Sequence, residues 1–201
     1  MQSIGVVMVQ HAYMDRNLQA VICHLAGMDH SAGVSVLTKL NSTASRANIL
    51  QNLARVKVEN LPQLAKFLVL SDVVVNVCTE RNSIAHGLPY SWSPSKNELT
   101  YFRDVNLTWP QLKIQPPYCA TPESLADLAQ RLEVAAECLD ISIPKWQKGA
   151  TWYSGRPPES EGATLADDPQ WLSDAAFPWP ELLQRKIESE RNKPTNQGKS
   201  T

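Results

Sequence analysis

The sequence has little excess charge of either sign. Its 201 residues contain 19 Lys and Arg against 20 Asp and Glu, which gives a formal net charge of −1. A protein that coats nucleic acid or binds an anionic membrane surface needs a surplus of basic side chains. The composition therefore argues against both classes of protein and leaves room only for a local basic site.

Cysteine is sparse and shows no metal-binding pattern. The four cysteines, Cys23, Cys78, Cys119 and Cys138, form no C-x-x-C pair and have no histidine at zinc-finger spacing. Three of them fall on apolar faces of predicted helices, which indicates buried free thiols in a reducing compartment. We expect no metal site and no cofactor.

Long apolar runs are also missing. No stretch of about 18 apolar residues occurs, so no transmembrane helix is expected. The short run Ile4–Val9 lacks the basic flank and the cleavage site of a signal peptide. Hydrophobic residues make up 43% of the chain, which is enough for a core. We expect a cytoplasmic protein that does not bind a membrane.

Helical periodicity dominates the first half of the chain. Apolar residues recur at intervals of three or four over residues 3–26, from about 31 to 56, and from Pro62 to about Gly87. Val73-Val74-Val75 alone would also suit a strand, but the length of the surrounding pattern favours a helix. The spacing therefore predicts three helices in this half.

Local end signals support these helices. Gly27 suits the C′ position after the first helix, and Asp29 or Ser31 can cap the second. Pro62 suits the first turn of the third helix, and Thr121-Pro122 predicts an N-cap and first residue for a fourth helix that ends before residue 144.

The regions between and after these helices have a different composition. Prolines interrupt residues 88–120, where Glu98–Phe102 and Gln111–Gln115 could pair as a β-hairpin. Residues 146–201 form a Pro-rich tail with one short helix from Pro180 to about Arg191, and the rest of this tail is expected to be disordered. Its tryptophans could pack back onto the helices or engage a partner protein.

These patterns together predict an all-α fold. We expect an antiparallel bundle of four to five helices over residues 1–145, with the hairpin inserted at residues 88–120. The tail, residues 146–201, is expected to be irregular and partly disordered.

One polar cluster ends the otherwise apolar third helix, in the segment Arg81-Asn82-Ser83-Ile84-Ala85-His86-Gly87. Asn82 and His86 lie on nearly one helix face, whereas Arg81 and His86 are roughly 140° apart around the axis. Arg81 and His86 would meet in one cleft if two chains joined across a two-fold axis. The simpler interpretation is that such residues cap a helix and favour the negative end of its dipole.

The segment from Arg81 to His86 resembles the R-x4-6-H motif of the HEPN domain, in its R-N-x-x-x-H form. The resemblance covers about residues 3–140 and includes the position of the motif at the end of a long helix. It implies a metal-independent endoribonuclease that acts on RNA as a homodimer, with the motif pair at the dimer interface. Many HEPN proteins are toxins or antiviral defence effectors, so an antitoxin protein is a further implied partner. Some members continue the motif to H-x-Y, but His86-Gly87-Leu88 lacks this tyrosine.

The resemblance assigns roles to particular residues. Arg81 would stabilise charge on a phosphate, and His86 would move the proton of the ribose hydroxyl, because an imidazole titrates near neutral pH. Asn82 would orient His86 or bind a phosphate oxygen, and Glu80 would hold Arg81.

The predictions also include two possible RNA-binding arginines and two alternative functions of the chain. Arg46 and Arg55 of the second helix would line an RNA groove, or would simply be solvated. The alternative function is a non-catalytic HEPN-like dimer that binds a nucleotide or a partner. A third interpretation is a helical scaffold whose tail tryptophans recruit a partner.

Overall fold

The computed structural model describes residues 2–40, 42–86, 88–96, 98–102, 118–141 and 177–193. These residues form six helices and three strands, so the described part of the chain is mostly helical with one small sheet. In chain order the elements are α1 (Gln2–Ala26), α2 (His30–Leu37), α3 (Thr43–Lys57), α4 (Leu61–Ala85), β1 (Leu88–Ser93), β2 (Glu98–Phe102), β3 (Tyr118–Ala120), α5 (Pro122–Ile141) and α6 (Pro180–Arg191).

Helix α1 is held in place by one apolar face and closed by a glycine. The residues of that face are each at most 4% exposed: Val7, Met14, Leu18, Val21 and Leu25. Gly27 has φ 66°, and the N–H of Met28 donates to the Cys23 carbonyl at 2.9 Å. This arrangement is a Schellman motif, and it confirms the predicted C′ role of Gly27.

The predicted single helix from about residue 31 to 56 is wrong, because this segment forms two helices, α2 and α3. Helix α3 starts at a new N-cap, where the Ser42 side chain accepts a backbone N–H of the first turn at 3.1 Å. The Arg46 guanidinium donates to the Leu37 and Leu40 carbonyls at 3.2 and 2.8 Å. These bonds satisfy carbonyls at and after the end of α2, which makes the break stable.

Gly33 of α2 lies directly against Cys23 of α1. A Cβ atom on Gly33 would overlap the Cys23 Sγ and lie 3.3 Å from the Cys23 Cβ. Cys23 is only 2% exposed, so it has little room to move. We expect Gly33→Ala to lower the free energy of unfolding by about 1–3 kcal/mol, because an overpacked core strains its side chains and backbone. Urea denaturation measures this change.

Gly5 of α1 provides the matched control for this substitution. A Cβ atom there would meet no described atom within 4 Å. Gly5→Ala is expected to stabilise the protein by about 0.5–1 kcal/mol, because alanine is the better helix former. In a Cys23→Ala background the cost of Gly33→Ala should shrink, since the overlapping sulfur is gone. An unchanged cost in that background would contradict the packing argument.

Helix α4 runs through the core. The Asn60 side chain accepts the Gln63 N–H at 3.1 Å, and Pro62 lies in the first turn, as the sequence predicts. Its most buried large side chains, each at most 1% exposed, are Phe67, Leu68, Leu70, Val74 and Val77. The valine run at 73–75 lies in the middle of this helix, as the sequence predicts. The short connection of residues 58–60 makes α3 and α4 antiparallel neighbours.

The sheet has three antiparallel strands in the order β1-β2-β3. The predicted strand Glu98–Phe102 exists as β2, but its described partners are Leu88–Ser93 and Tyr118–Ala120. The predicted partner Gln111–Gln115 lies outside the described residues. After Ser93 the chain makes a tight turn, in which the Lys96 N–H donates to the Ser93 carbonyl at 3.2 Å. This turn reverses the chain direction, so that β2 pairs with β1.

Helix α5 completes the packing around α1. It starts where predicted, with the Thr121 hydroxyl accepting the Ser124 N–H at 3.2 Å. Helix α1 packs most extensively against α5, and α4 contacts α3, α5 and α6. The Asn17 side chain of α1 donates to the Ala136 carbonyl of α5 at 2.9 Å, so even a buried polar group links the two helices.

The described part of the C-terminal tail packs against the helices. The predicted short helix is confirmed as α6. Leu183 is 2% exposed and Phe177 is 3% exposed, and the Phe177 and Trp179 rings meet edge to face with centroids 5.6 Å apart. Trp152 and Trp171 lie outside the described residues. Where the tail is described, its aromatic residues contact the protein's own core.

The environment of the cysteines agrees with the sequence interpretation. Cys23, Cys78 and Cys138 are buried, whereas Cys119 is exposed. The first three therefore act as small core side chains, as their positions on apolar helix faces predicted.

Helix α4 is the one described helix that is long and apolar enough to span a membrane by itself. Its best window has a mean hydropathy of 1.5, and 56% of that window is buried within the protein. Helices α1 and α2 meet the same criterion only together, across a bend of 119°. The core helix of a soluble protein meets this criterion equally well. The sequence-based expectation of a cytoplasmic protein therefore stays a prediction.

Candidate functional site

The last two turns of α4 carry the candidate site. Arg81 is half-buried, whereas Asn82 and His86 are exposed. His86 is the C-cap residue, and its backbone N–H donates to the Asn82 carbonyl at 2.9 Å. No hydrogen bond joins the side chains of Arg81 and His86, both of which the structure describes. Within one chain the two groups therefore do not form a shared site.

Arg81 has an unusual environment for a half-buried arginine. Its Nη1 donates to Asn82 Oδ1 at 3.0 Å, and its buried Nε has no hydrogen-bond partner among the described residues. No carboxylate among the described residues forms an ion pair with it. Glu80, which the sequence analysis assigned to hold Arg81, instead accepts from Arg131 Nη2 at 2.8 Å. Arg131 of α5 therefore reaches Glu80 from the neighbouring helix, and a role of Glu80 in holding Arg81 stays a prediction.

Arg46 is buried and fully engaged. It is 8% exposed, and its Nε and Nη2 donate to Asp15 Oδ1 at 3.0 and 2.8 Å. Its Nη2 also reaches Asp15 Oδ2 at 3.0 Å. Its Nη1 donates to the backbone carbonyls of Leu37 and Leu40. The guanidinium of α3 therefore links α1 to the C-terminal end of α2. The geometry gives Arg46 a structural role, and its predicted contact with RNA has no support in this arrangement.

Arg55, the other predicted substrate contact, lies far along α3. It is exposed, and its Nη1 donates to Glu190 Oε2 of α6 at 2.8 Å. The same carboxylate accepts from Lys193 at 2.6 Å through Oε1. Arg55 therefore links α3 to α6 through an ion pair at the surface, and the structure does not bring it together with Arg81.

A polar cluster that the sequence analysis did not identify lies between α1, α3 and α4. It consists of His11, Asp15, Thr43 and Arg46, together with Cys78 and Arg81, which interact electrostatically with these groups. The Thr43 hydroxyl donates to Asp15 Oδ1 at 3.0 Å and lies 3.5 Å from His11 Nε2. Asp15 Oδ2 also accepts from Gln19 Nε2 at 2.9 Å. The signal in the sequence was the i, i+4 pair His11 and Asp15 beside the apolar face of α1.

Two members of this cluster are neutral at physiological pH. Burial, together with the positive charge of Arg81, lowers the pKa of His11 from 6.5 to about 4. Burial, together with the negative charge of Asp15, raises the pKa of Cys78 from 9.0 to about 12. The remaining charges are one carboxylate, Asp15, and two guanidiniums, Arg46 and Arg81. The cluster therefore carries one positive charge in excess.

Acid is expected to destabilise the protein through His11. The unfolded chain takes up a proton as the pH falls through 6.5, whereas the folded chain resists it until about pH 4. Stability is therefore full above pH 6.5 and is lost as the pH falls through this window. Because the ring is partly exposed to screening solvent, we expect a loss of about 1–2 kcal/mol.

Urea unfolding at pH 7 and pH 4.5 measures this effect, with His11→Asn as the comparison. The pKa values of His24 and His30 are also lowered by burial, so the variant should keep part of the acid sensitivity. The difference between parent and variant isolates His11. An identical pH dependence in both proteins would contradict the assignment.

A groove of about 300 Å³ lies between α4 and α6, away from the polar cluster. The Lys186 to Asp72 ion pair, 2.6 Å long, links the two helices at this groove. Its lining residues are Val69, Asp72, Val73, Asn76, Leu182, Arg185, Lys186 and Ser189. None of them belongs to the polar cluster or to the segment from Arg81 to His86.

Comparison with known proteins identifies no matching family model, no matching curated protein and no matching solved structure. Within the described residues, no group of three or more His, Cys, Asp or Glu side chains is arranged to hold a metal ion.

Proposed function

We propose that this chain is a HEPN-like, metal-independent endoribonuclease that works as a cytoplasmic homodimer. The observation that carries the proposal is Arg81, a half-buried guanidinium without a carboxylate partner among the described residues, five residues before the exposed His86. The helical fold, with this motif at the end of a long helix, is consistent with the resemblance to HEPN domains.

The charge of the polar cluster supports an anionic ligand. Asp15 already accepts hydrogen bonds from Arg46, Thr43 and Gln19, so it has little capacity left for Arg81. A buried positive charge without a counter-ion is costly, and protein sites of this kind are often functional. A phosphate group would supply the missing negative charge, and a guanidinium fits it well.

The proposed reaction needs only side chains and the RNA. His86 accepts the proton of a ribose 2′-hydroxyl, whose oxygen then forms a bond to the adjacent phosphorus. The bond from phosphorus to O5′ breaks, and O5′ takes up a proton from a second imidazole. Arg81 stabilises the negative charge that builds on the phosphate oxygens. The products are a 2′,3′-cyclic phosphate and a 5′-hydroxyl.

The second imidazole is the reason for proposing a homodimer. Arg81 is half-buried and His86 lies exposed at the helix end, and one chain alone does not join the two side chains in a shared site. Two copies related by a two-fold axis would place two guanidiniums and two imidazoles around one phosphate. The Asn82 side chain accepts a hydrogen bond from Arg81 and is itself exposed. It would therefore lie at the edge of this shared site.

Purified protein incubated with single-stranded RNA in EDTA tests the proposal. We expect cleavage products with 2′,3′-cyclic phosphate ends, and a dimer in analytical ultracentrifugation. Intact RNA after prolonged incubation at high protein concentration would contradict the nuclease function. If an oligonucleotide then raises the melting temperature without being cut, the alternative function, a non-catalytic nucleotide-binding dimer, is supported instead.

The cellular role that we propose is that of a toxin or a defence effector. Expression of the parent chain should arrest growth, and expression of an inactive variant should not. An antitoxin protein that restores growth would be the expected partner. Since His86-Gly87-Leu88 lacks the tyrosine of the H-x-Y motif, we do not expect that partner to act by modifying a tyrosine at this position.

A further inference from the structure

The groove between α4 and α6 is formed by one face of each helix. Its lining residues follow the i, i+3, i+4, i+7 spacing on both helices, from Val69 to Asn76 on α4 and from Leu182 to Ser189 on α6. Residues at this spacing lie on one side of a helix. The groove has a volume of about 300 Å³, which is at the lower end of the range of small-molecule sites.

The groove leaves apolar surface in contact with water. Leu183 is 2% exposed and anchors α6 to the core, whereas its neighbour Leu182 lines the groove and is 44% exposed. Val73, on the opposite side of the groove, is only partly buried against the core. A ligand with an apolar chain that covers Leu182 and Val73 would remove this surface from water, which favours binding.

The lining of the groove carries one positive charge in excess. Both oxygens of Asp72 are engaged, because Gln51 donates to Oδ1 at 2.8 Å and Lys186 donates to Oδ2 at 2.6 Å. The charges of Asp72 and Lys186 therefore compensate each other. Arg185, the third charged residue of the lining, is exposed and forms no ion pair with any described residue.

We propose that this groove binds a small amphipathic carboxylate. The head group pairs with Arg185, because a guanidinium fork matches the two oxygens of a carboxylate. The apolar chain lies against Val73 and Leu182, and the small volume restricts it to a short chain. The groove shares no lining residue with the polar cluster or with the segment from Arg81 to His86, so this site is separate from the proposed ribonuclease site.

Two carboxylates of α6 compete with the ligand for Arg185. Glu181 and Glu188 lie about one turn before and after it, and both are exposed. An exposed pair of this kind contributes little, because water screens it and both side chains lose freedom. The ligand also buries apolar surface, so it has an advantage over either glutamate. For a ligand of about ten non-hydrogen atoms we expect a Kd of about 0.1–10 mM.

An NMR titration of the full ¹⁵N-labelled chain with octanoate at pH 7 tests the proposal. We expect saturable shifts of the backbone amides that line the groove on α4 and α6. Octylammonium has the same chain and the opposite charge, and it should bind at least about 10-fold more weakly. Acetate has the same head group without the chain, and it should not saturate over the same concentration range.

Two pairs of exposed substitutions separate the head-group contact from the apolar contact. Arg185→Gln should raise the Kd for octanoate by about 3-fold to 10-fold, whereas Arg191→Gln, on the same helix outside the groove, should change it by less than about 2-fold. Leu182→Ala should raise the Kd by about 2-fold to 5-fold. Val56→Ala, at a 78% exposed position of α3 outside the groove, should leave it unchanged.

Several results would overturn this site. Shifts that grow linearly without saturation, or that map away from α4 and α6, would show that octanoate does not occupy the groove. Equal affinity for octylammonium, or a parent-like Kd in Arg185→Gln, would show that Arg185 does not bind the head group. None of these measurements uses RNA, so their outcome is independent of the proposed ribonuclease function.

Discussion

His86→Ala is expected to abolish most RNA cleavage, with kcat lowered by about 10²-fold to 10⁴-fold, the usual contribution of a positioned proton-transfer group. His86 is exposed at the end of α4, and within the described part of the chain it is held by the hydrogen bond from its backbone N–H to the Asn82 carbonyl. The substitution should therefore leave the fold almost unchanged. Single-turnover cleavage in EDTA, with melting temperature as a check on folding, measures the effect.

Two further variants serve as controls for this result. His30→Ala removes an imidazole near the start of α2, outside the proposed site, and should retain full cleavage. Arg81→Lys retains a positive charge but loses the planar fork, so it should cleave RNA less well than the parent. Parent-like cleavage by a folded His86→Ala protein would refute the proposed role of this imidazole.

Arg46→Ala is expected to lower the free energy of unfolding by about 3–5 kcal/mol, the usual cost of breaking a buried ion pair from one side. The substitution leaves the Asp15 carboxylate without the guanidinium that donates to both of its oxygens. It also leaves the Leu37 and Leu40 carbonyls without their side-chain donor. Since domains are stable by only about 5–15 kcal/mol, the loss would be a large part of the total.

Arg55→Ala is the matched control, because the sequence analysis gave both arginines the same role. Its ion pair with Glu190 lies at the surface, where the Arg55 side chain is 38% exposed. We expect a loss below about 1 kcal/mol. Urea denaturation of both variants measures the contrast. If Arg46→Ala cost no more than Arg55→Ala, the buried network would not be holding α1 to α3.

These contrasts show why a sequence motif alone does not distinguish a structural arginine from one that can bind a ligand. Arg46 and Arg81 lie on two neighbouring helices, α3 and α4, and the charges of both act on His11 and Cys78. Arg46 is neutralised by Asp15, which lies 31 positions away in the chain, whereas Arg81 has no ion pair with any described residue. Whether an arginine is neutralised depends on whether a carboxylate of another helix packs beside it.

The helix ends were predictable because their causes are local. Gly27 adopts φ 66° and closes α1, and Thr121 caps α5 before Pro122. The Asn60 cap and Pro62 start α4 in the same way. Each of these signals acts within four residues of the chain, so the sequence contains all the information that they need.

The break between α2 and α3 and the pairing of β2 were not predicted, because their causes are less local. The apolar spacing continues through the break, and the Arg46 guanidinium of α3 binds the Leu37 and Leu40 carbonyls at and after the end of α2. Strand β2 was recognised, but several segments could pair with it. A tight turn after Ser93 pairs β2 with the strand that directly precedes it in the chain, β1.

By itself the sequence determined the helical character, the main helix ends, the buried cysteines and the position of Arg81 and His86 on one helix. These follow from periodicity and from short-range hydrogen bonds. Only the tertiary structure decided that His11, Asp15, Thr43 and Arg46 meet in one cluster, and that Glu80 pairs with Arg131. Charges and hydrogen-bond partners that come from different helices depend on packing, because packing alone sets the distances between residues far apart in the chain.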